Sequence, residues 1–313
     1  MSKASAPGKL ILFGEHFVVY GLPAIATAIE ARTTVGVEKA DKYSLEDNRP
    51  ETPGYKTEKY GQQLDSIKRI FKAMRINPDK TPVKIALGGN LMAASGIGAS
   101  AASCSAIAAA LNDYFGLGLD KETLNGIAYE GEKGYHGVPS GIDNSCSTFG
   151  GFIWFKKDQA NNTITPLGLQ LSLSIVIGNT GITSNTTKIV GEVKQQKEAN
   201  PEKFNVIFDI YSSLVNDARA AIEKKDLDGI GKLMNKNHGL LREIGVSCKE
   251  IEELVDIALK NGALGAKLTG TGRGGLVIAL VNEEDARKVA TAFERAGYRA
   301  EMTKIGAEGV RVE

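Results

Sequence analysis

Hydrophobic residues recur at two spacings along the chain, and the spacing separates predicted strands from predicted helices. Residues 24–40 are largely β-branched or small, which predicts a long strand, and residues 10–13 are typical of a short buried strand. Between 60 and 75 the apolar residues recur at helical spacing. The alanine-rich stretch that follows residue 100 is a strong helix former.

The other predicted elements follow from the same patterns. Apolar runs predict further strands at 81–89, 148–155, 172–180, 265–280 and 298–305. Helical spacing predicts further helices at 120–134, 186–198, 203–222, 226–242, 248–261 and 283–297. Residues 42–58 are polar and contain two prolines, which favours a loop. We expect an α+β fold of two domains that meet near residue 170, with ranges of 1–170 and 171–313.

Composition excludes several classes of protein. The 313 residues are 42% hydrophobic and 24% charged, as in ordinary globular proteins. Lys and Arg number 38 against 37 Asp and Glu, so there is no basic excess of the kind that binds nucleic acid. No apolar stretch approaches the ~20 residues of a membrane span, and the apolar run near the N-terminus is too short for a signal peptide. The three cysteines show no disulfide or metal spacing, so we expect a cytoplasmic protein without membrane or nucleic-acid partners.

Glycine is the unusual component. The chain contains 36 glycines in 313 residues, against a usual share of ~7%, and they cluster at 88–98, 131–141, 148–151 and 262–275. Clustered glycine indicates backbone that turns tightly or approaches another group closely.

The segment AASGIGASAASCS, residues 93–105, predicts a phosphate-binding loop before a helix. A helix N-terminus offers unpaired N–H groups to an anion, and small side chains let the anion approach them. Ser100 would place a hydroxyl on a phosphate or on its magnesium. The loop lacks the Gly-Lys-Ser/Thr ending of a Walker A motif, and a tight helix entry without a ligand is the alternative.

Four other features admit both an ordinary and a chemical interpretation. In GVPSGIDNSCS, residues 137–147, Asp143 would cap a turn or serve as a catalytic carboxylate. Lys9 and Glu132 would be surface charges or site residues. Glycines at 270–275 indicate close backbone approach, and Arg273 among them would point either to phosphates or to solvent.

Four blocks in this order resemble the GHMP kinase superfamily and, within it, the mevalonate kinase family: SAPGKLILFGEHFVVYG, SGIGASAA, HGVPSGIDN and KLTGTGRGG. The resemblance spans nearly the whole chain. It implies a GHMP kinase fold, with an N-terminal lobe like ribosomal protein S5 domain 2 and a ferredoxin-like C-terminal lobe. It also implies ATP-dependent phosphorylation of the primary hydroxyl of mevalonate, giving 5-phosphomevalonate for isoprenoid synthesis.

Position by position, the resemblance implies that Asp143 is the catalytic base and that Lys9 lies beside it. Ser100 and Glu132 would hold Mg²⁺. The substrate mevalonate would be met by Asp143 and by Glu15, His16 and Thr186. The phosphates of ATP would be wrapped by Ala94, Ser95, Gly96, Ile97, Gly98, Ala99 and Ser100.

The chain departs from the family pattern at Ala99, Ser103, Thr271 and Arg273. Two alternatives to mevalonate kinase activity remain. One is another GHMP kinase, acting on a different mevalonate hydroxyl, on phosphomevalonate or on homoserine. The other is a non-catalytic module that binds ATP and a metabolite, although retention of Lys9, Glu132 and Asp143 together speaks against it. A homodimer is compatible with the sequence.

Overall fold

A computed structural model describes residues 1–93, 96–158, 162–169 and 171–313. Its architecture is α+β, as predicted. The strands are β1 (Ser2–Phe13), β2 (Ala24–Lys39), β3 (Ser44–Asp47), β4 (Val83–Gly89), β5 (Phe152–Lys156), β6 (Thr163–Pro166), β7 (Leu173–Asn179), β8 (Gly265–Thr269), β9 (Leu276–Val281), β10 (Arg299–Ile305) and β11 (Arg311–Val312).

The α-helices are α1 (Tyr55–Ala73), α2 (Ala99–Phe115), α3 (Lys121–His136), α4 (Ile142–Phe149), α5 (Thr186–Ala199), α6 (Pro201–Glu223), α7 (Leu227–Glu243), α8 (Lys249–Lys260) and α9 (Ala286–Arg295). Short 3-10 helices cover Phe17–Tyr20 and Glu283–Asp285. None of the helices in the described residues is long and apolar enough to cross a membrane.

Strand β2 is the centre of the sheet. It pairs antiparallel with β1, β4 and β5, and β3 joins β4 in parallel. Ile29 of β2 also pairs with Ile305 of β10, which leads into the antiparallel order β10-β7-β9-β8. The end of the chain returns to the first strand, because Val312 of β11 pairs with Ala4 of β1. Residues distant in sequence are thereby brought beside β1.

Helix α2 packs against β1, β2, α3 and α4. Its alanines leave little side-chain volume, so the helix approaches its neighbours closely, and almost its whole length is buried. This packing fixes the N-terminal end of α2 beside β1, where the predicted phosphate loop meets it.

Several predicted boundaries were wrong. The predicted loop at 42–58 contains β3 and the start of α1, because Ser44–Asp47 pairs with the distant β4 and local polarity does not reveal such pairing. The strand predicted at 148–155 begins only at Phe152, since residues 148 and 149 end α4. Strand β1 begins at Ser2, well before residue 10. The domain division near residue 170 stays a prediction, and residue 170 lies outside the described residues.

Candidate active site

The start of α2 is packed directly against Lys9 of β1. The Lys9 amide donates to the Ile97 carbonyl at 2.8 Å. Gly98 has a φ of 78°, and a Cβ there would lie 2.8 Å from Lys9 Cγ, so the position requires glycine. The N-terminus of α2 has no side-chain cap, which leaves its first N–H groups open to an anion. Ala94 and Ser95, also predicted for this loop, lie outside the described residues.

Asp143 and Lys9 meet at the first turn of α4. Lys9 Nζ lies 3.3 Å from Asp143 Oδ1, and the side chains are 11% and 32% exposed. Gly141, with a φ of 89°, is the N-cap of α4, so capping of this helix does not explain Asp143. Ser147 of the same helix donates to the Pro7 carbonyl at 2.9 Å. That bond fastens α4 to β1 and holds the carboxylate beside the lysine.

Glu132, on α3, is a buried carboxylate in the same site. Burial, reinforced by the negative charge of Asp143, raises the pKa of Glu132 to about 8, although a hydrogen bond from Ser100 and the charge of Lys9 oppose the rise. His136 Nε2 lies 3.4 Å from Ser100 Oγ and 3.9 Å from Glu132 Oε2. A cavity of about 250 Å³ is lined by Glu132, His136, Val138, Pro139, Ser140, Gly141, Asp143 and Asn144.

The oxygen donors of Ser100 and Glu132 fit a magnesium ion. Mg²⁺ prefers oxygen ligands and binds through one or two protein groups together with substrate phosphates and waters. Burial makes the ionised form of Glu132 unfavourable, so a cation at its oxygens would stabilise that form. Among the described residues, no group of three or more His, Cys, Asp or Glu is arranged to hold a metal. Ser100 and Glu132 would therefore supply only part of the ligand set of the ion.

Two of the residues predicted to contact substrate, His16 and Thr186, both contact Thr271. His16 Nε2 lies 2.7 Å from the Thr271 carbonyl, and burial lowers the pKa of His16. The hydroxyls of Thr186 and Thr271 lie 2.7 Å apart. Glu15 has no exposed side-chain surface and forms an ion pair with Lys267 of β8. Glu15 thus contacts β8, and its side chain does not reach open space.

Comparison with known proteins identifies the family of this chain. The model for the GHMP kinases N terminal domain matches residues 65–151, and that for the GHMP kinases C terminal matches residues 218–299. The mevalonate kinase of Pyrococcus horikoshii is 37% identical, over 99% of this chain and 97% of that protein. The chain belongs to the mevalonate kinases.

Solved mevalonate kinases confirm the predicted GHMP kinase fold. The L. major mevalonate kinase, solved in complex with R-mevalonate, has a TM-score of 0.92 at 35% identity, covering 99% of this chain and 97% of its own. The Methanococcus jannaschii mevalonate kinase has a TM-score of 0.82 at 27% identity, covering 97% and 98% of the two chains.

Arg273, one of the departures from the family pattern, has defined partners. Its Nε donates to the Gly245 carbonyl at 2.9 Å, and its guanidinium forms an ion pair with Glu192 of α5. Neither of the two orientations considered from the sequence, towards phosphates or towards solvent, describes this arrangement.

Sequence analysis did not identify Lys267 and Arg49, two buried charged residues of this member of the mevalonate kinases. A lysine within the apolar strand GAKLT was a usable sign, because a lysine is almost never fully buried unless it is paired. Arg49 gave no such sign, since it lies in a polar segment. It is nevertheless buried, at 5% exposure, against the first turns of α2.

Proposed function

We propose that this protein transfers the γ-phosphoryl group of ATP to the primary hydroxyl of mevalonate, which gives 5-phosphomevalonate. The observation that carries the proposal is the Lys9–Asp143 pair, 3.3 Å apart beside the uncapped N-terminus of α2. Relatives named mevalonate kinase match the chain over almost its whole length and support the choice of substrate.

Asp143 and Lys9 would act on the attacking hydroxyl. An alcohol is a poor nucleophile at neutral pH, and a carboxylate within hydrogen-bond reach can accept its proton as the new bond forms. The ammonium of Lys9 would stabilise negative charge on the transferred phosphoryl group. Phosphoryl transfer needs little covalent help from protein, so positioning and charge neutralisation account for most of the catalysis.

ATP would bind with its phosphates against residues 94–100, of which 96–100 are described. The backbone N–H groups at the start of α2 would donate to phosphate oxygens. Ser100 and Glu132 would hold Mg²⁺, which neutralises charge on the β- and γ-phosphates when it is bound. His136 would limit the orientations of the Ser100 hydroxyl, which lies 3.4 Å from its ring.

Mevalonate would be recognised by polar groups beside Thr271. His16 and Thr186 both contact Thr271 and would present polar groups to the carboxylate and hydroxyls of the substrate. We assign Glu15 a supporting role, because its buried pair with Lys267 holds the turn that carries His16. The domain ranges 1–170 and 171–313, and a homodimer, remain predictions.

The decisive experiment compares acceptors. The purified protein is incubated with Mg-ATP and mevalonate, phosphomevalonate, homoserine or galactose, and ADP release is measured. NMR of the product then locates the phosphate. We expect turnover with mevalonate and phosphate on C5. Phosphate on another hydroxyl, preference for another acceptor, or tight binding without turnover would each contradict the proposal.

A further inference from the structure

One short segment contacts the chain on both sides of the phosphate loop. It comprises residues 47–52, which begin at the last residue of β3, and we call it the brace. Before the loop, the Ala93 amide donates to the Pro50 carbonyl at 2.8 Å, and the Thr52 amide donates to the Ala93 carbonyl at 3.3 Å. These bonds fix the position at which the chain enters the loop.

The same segment reaches the helix that follows the loop, through Arg49. Arg49 Nη1 donates to the hydroxyl of Ser103 and to the carbonyl of Ala99 at 3.4 Å. Ser103 also donates to the Ala99 carbonyl at 2.8 Å. The small side chain of Ser103 leaves room for the guanidinium. Both ends of the loop are therefore attached to residues 47–52.

Arg49 is itself held rigidly. Its Nε and Nη2 donate to the two carboxylate oxygens of Asp47 at 2.9 and 2.6 Å, the bidentate geometry that fixes a guanidinium plane. Gln63 of α1 donates to Asp47 Oδ2 at 2.8 Å. Lys56 donates to the carbonyls of Asp47 and Arg49, each at 3.0 Å. The side chain is 4% exposed, so little water competes for these bonds.

The loop needs such external support. Gly96 and Gly98 have φ values of 76° and 78°, and a Cβ at Gly96 would meet no atom within 4 Å. When the backbone becomes ordered, glycine loses more conformational freedom than any other residue does. A group that fixes the loop before ligand binding reduces the entropy lost when the phosphates bind.

We propose that Arg49, held by Asp47 and attached to Ser103 and Ala99, is a positioning residue that pre-organises the phosphate loop for ATP. The proposal rests on the proposed function only in that the loop binds the phosphates of ATP. Loss of the guanidinium should weaken nucleotide binding and leave mevalonate binding unchanged. A purely structural arginine would lower stability and spare both ligands, or weaken both equally.

Arg32 provides a matched control, because it is also an arginine with several hydrogen bonds. Its side chain donates to the Ser5 hydroxyl and to the carbonyls of Ser5, Glu308 and Gly309 at 2.7 to 3.0 Å. None of these groups belongs to the phosphate loop or the brace. Arg32→Met should therefore reproduce a loss of stability without the selective loss of nucleotide affinity.

The test measures the dissociation constants of the ATP analogue AMP-PNP, with Mg²⁺, and of mevalonate by titration calorimetry. We expect Arg49→Met to weaken AMP-PNP binding by about tenfold or more and to change mevalonate binding by less than about twofold. Arg49→Lys, which keeps the charge but loses the bidentate fork, should recover only part of the affinity. Arg32→Met should leave both constants unchanged.

Ser103→Ala keeps the test decisive if Arg49→Met does not fold. It removes one hydroxyl and should give a smaller loss in the same direction, with faster amide hydrogen exchange at residues 96–100. AMP-PNP affinity equal to wild type in Arg49→Met, or in a folded Ser103→Ala when the arginine variant is lost, overturns the proposal. An AMP-PNP affinity that depends on Arg49, in a wild-type protein that does not phosphorylate mevalonate, would overturn the proposed function alone.

Discussion

The ammonium of Lys9 and the carboxylate of Asp143 lie 3.3 Å apart, and they come from the first strand and from the first turn of α4. The contact depends on the packing of α4 against β1, which the bond from Ser147 to the Pro7 carbonyl secures. The side chains of Lys9 and Asp143 are 11% and 32% exposed, and their contact restricts the orientation of both. The pair should therefore act as a unit in catalysis.

Replacement of the carboxylate tests that unit. Asp143→Asn keeps the shape of the side chain but removes the group that accepts the proton, so we expect kcat to fall by about 10² to 10⁴-fold. The melting temperature should change little, because asparagine is accommodated in the first turn of a helix. A well-folded variant with near-normal turnover would show that Asp143 is not the base.

A double variant asks whether the two residues cooperate. Lys9→Met should also lower kcat. If the pair acts as a unit, Lys9→Met/Asp143→Asn should lose much less activity than the product of the two single losses. Multiplicative losses would indicate that the two residues act independently.

The assignment of Glu132 and Ser100 to magnesium predicts a graded response. Glu132→Gln should weaken the apparent Mg²⁺ affinity in the kinase assay and reduce kcat, because it removes a charged ligand. Ser100→Ala should do the same more mildly, since a hydroxyl is a neutral ligand. An unchanged Mg²⁺ titration in both variants would remove these residues from the metal site.

The buried pair between Glu15 and Lys267 predicts a strong asymmetry in stability. Lys267→Met leaves an unpaired carboxylate without exposed surface, which should cost about 3–5 kcal/mol in the free energy of unfolding. The double variant Glu15→Leu/Lys267→Met removes both charges and should recover much of that loss. Urea unfolding of the two variants measures the difference, and equal losses would contradict this account.

His238 should make the protein sensitive to mild acid. Burial lowers the pKa of His238 to about 4 from its usual 6.5, although the charge of Glu252 opposes the shift and those of Arg242 and Lys267 add to it. The folded state thus binds fewer protons than the unfolded chain between these values. The contribution of neutral His238 to the free energy of unfolding is fully present above about pH 6.5. It is lost as the pH falls towards 4, by on the order of 3 kcal/mol.

The matched variant for that prediction is His238→Gln, which has no charge to gain. Its unfolding free energy should fall less than that of the wild type between pH 7 and about pH 4.5. The same slope in both proteins would mean that other groups dominate the acid sensitivity.

The contacts of Arg273 predict that its replacement changes the KM for ATP only slightly. Its guanidinium pairs with Glu192 in a half-buried ion pair, which contributes little to stability. Its φ of 51° is also a conformation that glycine adopts more readily. Arg273→Gly should therefore leave the KM for ATP within about twofold of wild type. A large and selective rise would show that the side chain moves to the phosphates.

The sequence alone determined the family and most elements. The four glycine-containing blocks and their order carry the resemblance, since glycines at positions such as Gly98 are required by close backbone approach. Most helices and long strands followed from hydrophobic spacing, because that spacing reflects which face of each element is buried. These properties are local, and a single stretch of chain displays them.

Tertiary structure decided what local patterns do not contain. Strand β3 exists because β4 pairs with it. The polar residues around it suggested a loop, since local composition does not reveal a distant pairing partner. The burial of Glu15 against Lys267, and of Arg49 against Ser103, depends on contacts between segments far apart in sequence. Burial also raises the pKa of Glu132 to about 8, and no spacing of residues along the chain encodes that environment.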